Sequence, residues 1–370
     1  MARRTRPLTL LAGSAVLAAG CASDAPQDTL DPQGPAARTI DNLIDPIFGI
    51  AGVVFVVVLG GVLFMSLKFR SHESDGEDEE FPDQVHGNTR LEIGWTIVPA
   101  IILAGVSVFT VAAIFDLAEA DEGAMEIEVF GQQWWWEYRY DTDGDGEPDI
   151  VTANELVIPA GREVNLQIQS RDVIHSFWAP ALNGKRDAVP GRTHPLTLEA
   201  DEAGRYVGQC TEYCGLSHAN MGLVVEAISD EDFDAWIENQ LADAAEPEGE
   251  EALAGLEVYQ GFCANCHQID GVNEIDEAEL VSGVAPNLTH LMSRETFAGS
   301  MFDLQRDDEE CASPVDPSPE QCLNRPDLEA WLRNPPAMKP AAADQERGMP
   351  NLGLSEEQIN QLVAYLETLE

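Results

Sequence analysis

Two stretches of this chain carry no charge: Ile47–Leu67, 21 residues, and Ile93–Phe115, 23 residues. Each exceeds the ~20 residues that a membrane-crossing helix requires. Any fold must take both out of water. A transmembrane hairpin over residues 40–118 does so, with crossings at about 47–67 and 93–115, despite Pro99 and two glycines in the second. Lys68, Arg70 and Arg90 lie close to the helix ends in the connecting segment and place it in the cytoplasm. The acidic run Glu73–Glu80 counts little for orientation and reads as a solvated face. Everything after about Asp116 is then expected outside the membrane.

The first twenty residues read as an export signal. Arg3, Arg4 and Arg6 precede the short apolar run Leu8–Ala19, with Cys21 directly after Gly20. This resembles a bacterial lipoprotein signal with Cys21 lipidated, although Ala18 stands where Leu is usual. The formal net charge is −46. That excludes nucleic-acid binding, because a phosphate backbone must be met by Lys and Arg. An acidic surface suits steering of a basic partner, or general acidity in a salty habitat.

Residues 210–221 read Cys-Thr-Glu-Tyr-Cys-Gly-Leu-Ser-His-Ala-Asn-Met. Two thiols, an imidazole and a thioether in one loop form a soft donor set that argues for copper. Cys210 and Cys214 could bridge two ions, with His175 upstream, His218 and Met221 completing the set. A Cys210–Cys214 disulfide is the alternative in an exported protein.

Residues 124–228 read as a β domain. Apolar residues alternate at Ile127 and Val129 and at Val164, Leu166 and Ile168, and Leu223–Ile228 could be a buried strand. Gly and Pro punctuate between them. A capping box from Ser229 to Asp232 would open a helix through Leu241, and residues 242–251 read as a linker. Residues 252–370 read as mostly helical: Leu253, Leu256 and Tyr259 recur at helical spacing, and a second capping box at Ser355 precedes an apolar face of Ile359, Leu362, Val363, Leu366 and Leu369.

Cys263-Ala-Asn-Cys266-His267 is the attachment signature of c-type haem, with His267 as proximal ligand. A redox dithiol is the alternative, but it lacks a βαβ setting. A downstream Met would supply the sixth ligand. Met349, in Gly348-Met349-Pro350, resembles the Met-Pro loop of small bacterial cytochromes c, and Met338 is the runner-up. Met292 and Met301 read as packing residues, and His72, His86, His194 and His290 receive no metal role. Cys311 and Cys322 remain and can pair as a disulfide.

The loop Cys210–Met221 with His175 resembles the copper A centre of cytochrome c oxidase subunit II. So do Gln133–Tyr138, Asn183–Arg192 and Leu91–Pro99. The resemblance covers about residues 40–235, and the fused haem segment suggests the caa-type branch. It implies a two-helix anchor, a cupredoxin-like β-barrel and an all-α class I cytochrome c domain. Cys210 and Cys214 would bridge two coppers, His175 and His218 would cap them, and Met221 and the Glu212 carbonyl would be weak ligands. The Glu212 carboxylate would bind Mg²⁺ or Mn²⁺ against subunit I. Trp134 would be the electron input point, and Glu92 would stand at a proton-path mouth. Trp135 and Trp136 read as packing residues.

The implied activity is electron delivery to subunit I of a terminal oxidase that reduces O₂ and pumps protons. The implied location is the bacterial inner membrane, multi-pass, with both metal domains on the periplasmic side. Subunits I and III would be partners, and cytochrome c or a quinol–cytochrome c reductase complex the donor. A copper A-type nitric oxide reductase subunit is one alternative. A tethered copper carrier and a mononuclear blue-copper protein are others. Asp141–Asp149 resembles a calcium loop, but Thr152 stands where an EF-hand needs Glu, and a polar hairpin turn is the favoured reading over Ca²⁺ binding.

Overall fold

The computed structural model describes residues 25–70, 86–120, 123–273, 284–306, 311, 322–341 and 347–370. The export segment, Cys21, the Glu73–Glu80 run, His72 and most of the acidic insert around Cys311 lie outside these.

Helix α1 runs over Pro35–Lys68 and α2 over Thr89–Asp116. Both outrun the charge-free stretches. Pro35 starts α1 at a position where its missing N–H costs nothing. Asn88 caps α2 by accepting from the N–H groups of Arg90 and Leu91. Their apolar side chains face outward, with no buried share in either crossing window. The start of α1 and the end of α2 meet where Thr39 donates to Asp116 across 3.4 Å. The start of α1 also stands on the following domain. Gln33 N–H donates to the Ala181 carbonyl and Ala37 N–H to that of Leu182, at 2.7 and 3.1 Å, and Arg38 pairs with Asp201. A side chain at Gly34 would collide with the Glu199 carbonyl.

Ten strands follow. They are β1 Met125–Gln132, β2 Trp135–Tyr140, β3 Ile150–Ala153, β4 Glu155–Pro159, β5 Val164–Ser170, β6 His175–Phe177, β7 Arg186–Ala188, β8 His194–Leu198, β9 Gly204–Gln209 and β10 Gly222–Ile228. One sheet has the order β3-β2-β1-β5-β8 and a second β4-β10-β9, while β6 pairs with β7. The pairs β1–β5 and β4–β10 are parallel and the others antiparallel. β5 shows why: Val164, Leu166 and Ile168 are buried while the residues between them are half-exposed, the period-2 pattern of a strand with one face on a core. The two sheets share that core with Ile127, Val129, Trp136, Tyr138, Leu156, Phe177 and Leu223. The Tyr140 hydroxyl clips them together, donating to the Val157 carbonyl and accepting from its N–H at 2.9 and 3.0 Å.

Helix α3 covers Asp230–Gln240. Ser229 caps it from Asp232 N–H, but the reciprocal arm of the expected capping box is missing, because the Asp232 carboxylate accepts from the Ser229 hydroxyl instead. Residues 242–249 are tied down rather than a free linker: Ala244 N–H donates to the Asp270 carbonyl and His290 Nε2 to that of Ala242.

The C-terminal segment has α4 Glu250–Phe262, α5 Arg325–Arg333, α6 Pro335–Met338 and α7 Glu356–Leu366, with a strand pair β11 Thr296–Phe297 and β12 Phe302–Asp303. The pair departs from the all-helical expectation. It forms because Ala298, Gly299 and Ser300 all adopt positive φ, turning the chain so that Phe297 and Phe302 stack across it. α4 packs on α7 around Tyr259, Leu362 and Tyr365. Gly255 sits so close to Gln361 that a side chain would clash. Leu253 is on the outer face, 51 % exposed, so the buried face of α4 is Ala252, Gly255, Val258 and Tyr259. Ser355 and Gln358 form the full capping box of α7. Cys311 and Cys322 are joined by a disulfide.

Candidate metal centres

β9 ends at Gln209, and the chain turns back into β10 at Gly222. Cys210 N–H donates to the Met221 carbonyl across 2.9 Å, closing the neck of the loop. β6 brings His175 to the same point, and Thr211 N–H bonds the Ser176 carbonyl.

The donor atoms converge. Cys210 and Cys214 sulfurs are 3.8 Å apart, well beyond the ~2.05 Å of a disulfide bond. His175 Nδ1 is 3.9 Å from the Cys210 sulfur, and His218 Nδ1 is 3.5 Å from that of Cys214. The Met221 sulfur is 3.8 Å from Cys214 and the Glu212 carbonyl 3.3 Å from Cys210. The two thiols thus stand in the middle, with one imidazole and one weak donor toward either end. His175, Cys210, Cys214 and Met221 are buried, and His218 is half-buried. Soft, clustered, shielded donors of this kind fit copper. As a pair, the sulfurs titrate in opposite directions. The hydrogen bond with Cys214, aided by His175, pulls Cys210 down, and that bond together with burial pushes Cys214 up.

Asp172, Gln133 and Gly131 support this site and were not assigned from sequence. Asp172 Oδ1 is 2.7 Å from His175 Nε2, so the carboxylate holds the far side of the ring and leaves Nδ1 toward the sulfurs. Burial raises Asp172, but bonds from His175 and from the N–H groups of Gln133 and Val173 outweigh it and hold it low. The i,i+3 spacing of Asp172 and His175 was the available signal. Gln133 and Trp134 both donate to the Cys214 carbonyl, from Nε2 at 2.6 Å and Nε1 at 3.2 Å. Gly131 passes so close to His175 that a Cβ would stand 3.0 Å from the ring. Replacing Asp172 with Asn should weaken copper binding by about 10- to 100-fold, as outer-shell carboxylates generally do. Chelator competition on the purified protein measures this, and unaltered affinity would remove Asp172 from the site.

A second set of donors lines an adjacent cavity. Cys263, Cys266, His267 and Met349 face it from the C-terminal segment, with Tyr259, Leu332, Leu362 and Leu366 around them. Its opposite wall is the β domain, through Gln133, Trp134 and Trp135. His267 Nδ1 donates to the Pro286 carbonyl at 2.8 Å, which leaves Nε2 as the nitrogen for a metal. Burial lowers His267 and favours the neutral ring that iron requires. Burial also raises Cys263 to about 12, with Cys266 adding to it. The Met338 side chain does not line the cavity, although Lys339 and Pro340 do. Trp136 is a core residue, packed edge-on against His175 and Phe177, whereas Trp135 reaches the cavity.

Other candidates are placed differently. Glu212 and Tyr213 are exposed, beside His218. Glu92 lies exposed in the first turn of α2. Asp141, Asp143 and Asp149 cluster in the β2–β3 turn. Their oxygens accept from Gly144, Gly146, Asp145 and Thr142 of the same turn.

An apolar helical pair carrying a β-sandwich with a Cys₂His₂Met donor set, four donors from one loop and His175 from β6, defines a membrane-anchored electron-transfer subunit of the copper A class. Comparison with known families agrees: the cytochrome c oxidase subunit II periplasmic domain matches residues 125–228 and its transmembrane domain residues 26–112. Cytochrome c oxidase subunit 2 of Alkalihalophilus pseudofirmus is 35% identical over 100% of this chain and 97% of its own length. The protein of the same name from Bacillus sp. PS3 is 31% identical over 80% of this chain and 78% of its own. The crystal structure of the periplasmic domain of Bradyrhizobium japonicum subunit II is 30% identical, covers 33% of this chain and 96% of that one, and has a TM-score of 0.31. The chain belongs to the cytochrome c oxidase subunit II family. It is a membrane-anchored subunit of a haem-copper oxidase, its β domain is a copper A domain, and subunit I is its partner.

Proposed function

We propose that this subunit carries a haem c as well as copper A and delivers electrons through both to subunit I, for O₂ reduction coupled to proton pumping. The carrying observation is the shared cavity. The C-x-x-C-H residues and Met349 line one side of it, and Trp134, bonded to the Cys214 carbonyl, lines the other. Cys263 and Cys266 would hold the haem covalently, His267 and Met349 would bind its iron, and His175, Cys210, Cys214, His218, Met221 and the Glu212 carbonyl would hold two coppers. Bound there, both groups supply one-electron redox chemistry.

The chain's own part is to hold and shield these groups. The Cys214 loop is fixed by two donors, and the cavity beside it is lined mainly by apolar side chains. The exposed face of Glu212 and Tyr213 would meet subunit I, with the Glu212 carboxylate on Mg²⁺ or Mn²⁺ there. The helices would cross the inner membrane as a hairpin, with Lys68, Arg70 and Arg90 on the cytoplasmic side and Glu92 at a proton-path mouth. Subunit III, a lipid on Cys21 and a cytochrome c or quinol–cytochrome c reductase donor belong to the same reading. The Asp141–Asp149 carboxylates already serve their own loop, which supports a turn over a calcium site.

The purified oxidase should show a c-type haem spectrum that survives acid–acetone extraction of the polypeptide, together with a delocalised mixed-valence copper EPR signal. A polypeptide free of covalent haem would refute the two-cofactor reading.

A further inference from the structure

The contact between the β domain and the C-terminal segment is built around buried polar groups, not around apolar surface alone. Glu155, at the start of β4, is 3% exposed. Its carboxylate accepts from the N–H groups of Glu295 and Thr296 and from the Thr296 hydroxyl, all in the C-terminal segment. Lys339 is 8% exposed. Its ammonium donates to the Trp134 carbonyl of the β domain and to the Ala298 carbonyl of the β11–β12 turn, each at 2.7 Å. Between these points the tip of that turn enters the copper loop. Gly222 N–H donates to the Gly299 carbonyl at 2.9 Å, and a side chain on Gly299 would strike Lys339 and approach the carbonyls of Trp134 and Asn220. Ser217, inside the copper loop, donates to the Pro340 carbonyl at 2.5 Å.

A buried charge satisfied by directed bonds fixes one arrangement more than it adds strength, since separation would return it to water. Here the Glu155 carboxylate finds its partners across the contact, and the Lys339 amine bridges the contact, bonded to Trp134 on the β domain and to Ala298 on its own. Such a pair specifies register. We propose that Glu155 and Lys339 are positioning residues that lock the C-terminal domain in a single docked orientation on the copper domain, with Trp134 held in the cavity wall. The domain is then a fixed relay and not a tethered shuttle. Trp134 is 3% exposed in this arrangement, so a soluble donor must deliver its electrons to the C-terminal domain. The docking stands on the contacts above, and its electron-transfer consequence rests on the haem reading.

The test uses the intact oxidase with the double substitution Glu155→Gln, Lys339→Met. Amides of Glu295 and Thr296 should be protected from hydrogen exchange in the wild type and exchange at least about tenfold faster in the variant, with Ile127 and Leu166 in the sandwich unchanged. After photoreduction of the haem, electron arrival at copper should be independent of glycerol viscosity in the wild type. In the variant it should slow at least about tenfold and become viscosity-dependent, because small misplacements are costly to reactions between fixed partners. Unprotected amides in the wild type, or a variant with unaltered exchange and viscosity response, would overturn the proposal. Protected amides in a chain without covalent haem would uphold the dock while refuting the haem reading.

Discussion

Replacing Cys214 with Ser is expected to eliminate the mixed-valence copper EPR signal and lower copper content from two ions per chain to one or none. The sulfur of Cys214 has three other donors within 3.8 Å: the Cys210 sulfur, His218 Nδ1 and the Met221 sulfur. The Cys210 sulfur is placed in the same way, beside the Cys214 sulfur, His175 Nδ1 and the Glu212 carbonyl. A serine hydroxyl is shorter and harder, and does not replace a soft thiolate for copper. Outer-shell replacements at metal sites cost about 10- to 100-fold, so losing a central ligand should reduce electron delivery by at least ~100-fold. Metal analysis and EPR of the purified oxidase check this. Two retained coppers with an unchanged spectrum would show that Cys214 does not bridge.

If the proposed haem reading holds, replacing Met349 with Ala should leave a haem attached through Cys263 and Cys266 but remove its Met/His character. The side chain lines the cavity, and Gly348 before it has φ of +81°, which turns the segment into that position. A Met ligand raises the haem potential. Its loss should lower the midpoint by on the order of 0.1 V, within the ~0.8 V range that axial ligands control. Redox titration with absorption spectroscopy reads both effects. Met338→Ala should change neither, because Met338 ends α6 with its side chain off the cavity. The reverse pattern would make Met338 the ligand.

Much of this arrangement can be read from the sequence, for a physical reason. Apolar length determines the two anchoring helices, period-2 burial determines β5, and ligand chemistry compresses all the copper donors but His175 into one twelve-residue loop. These are local signals. Long-range contacts leave no comparable trace. Asp172 is within three residues of His175, yet its role depends on Gln133, 39 residues away. Glu155 looks like a stray acid at the head of an apolar strand, and Lys339 like one more residue in a Pro-rich stretch. Their partners are 140 and 205 residues distant. The half-formed box at Ser229 has a simpler cause: the Asp232 side chain bonds the Ser229 hydroxyl, where the reciprocal motif uses a longer Glu or Gln.

The strap formed by Gln33, Ala37 and Arg38 against Ala181, Leu182 and Asp201 joins the first helix to the sandwich by more than its peptide link. Rod and sandwich are therefore one lever. A bilayer thin enough to make the rod lean would carry the copper loop through the same angle, so lipid thickness would set how the loop faces the large catalytic neighbour.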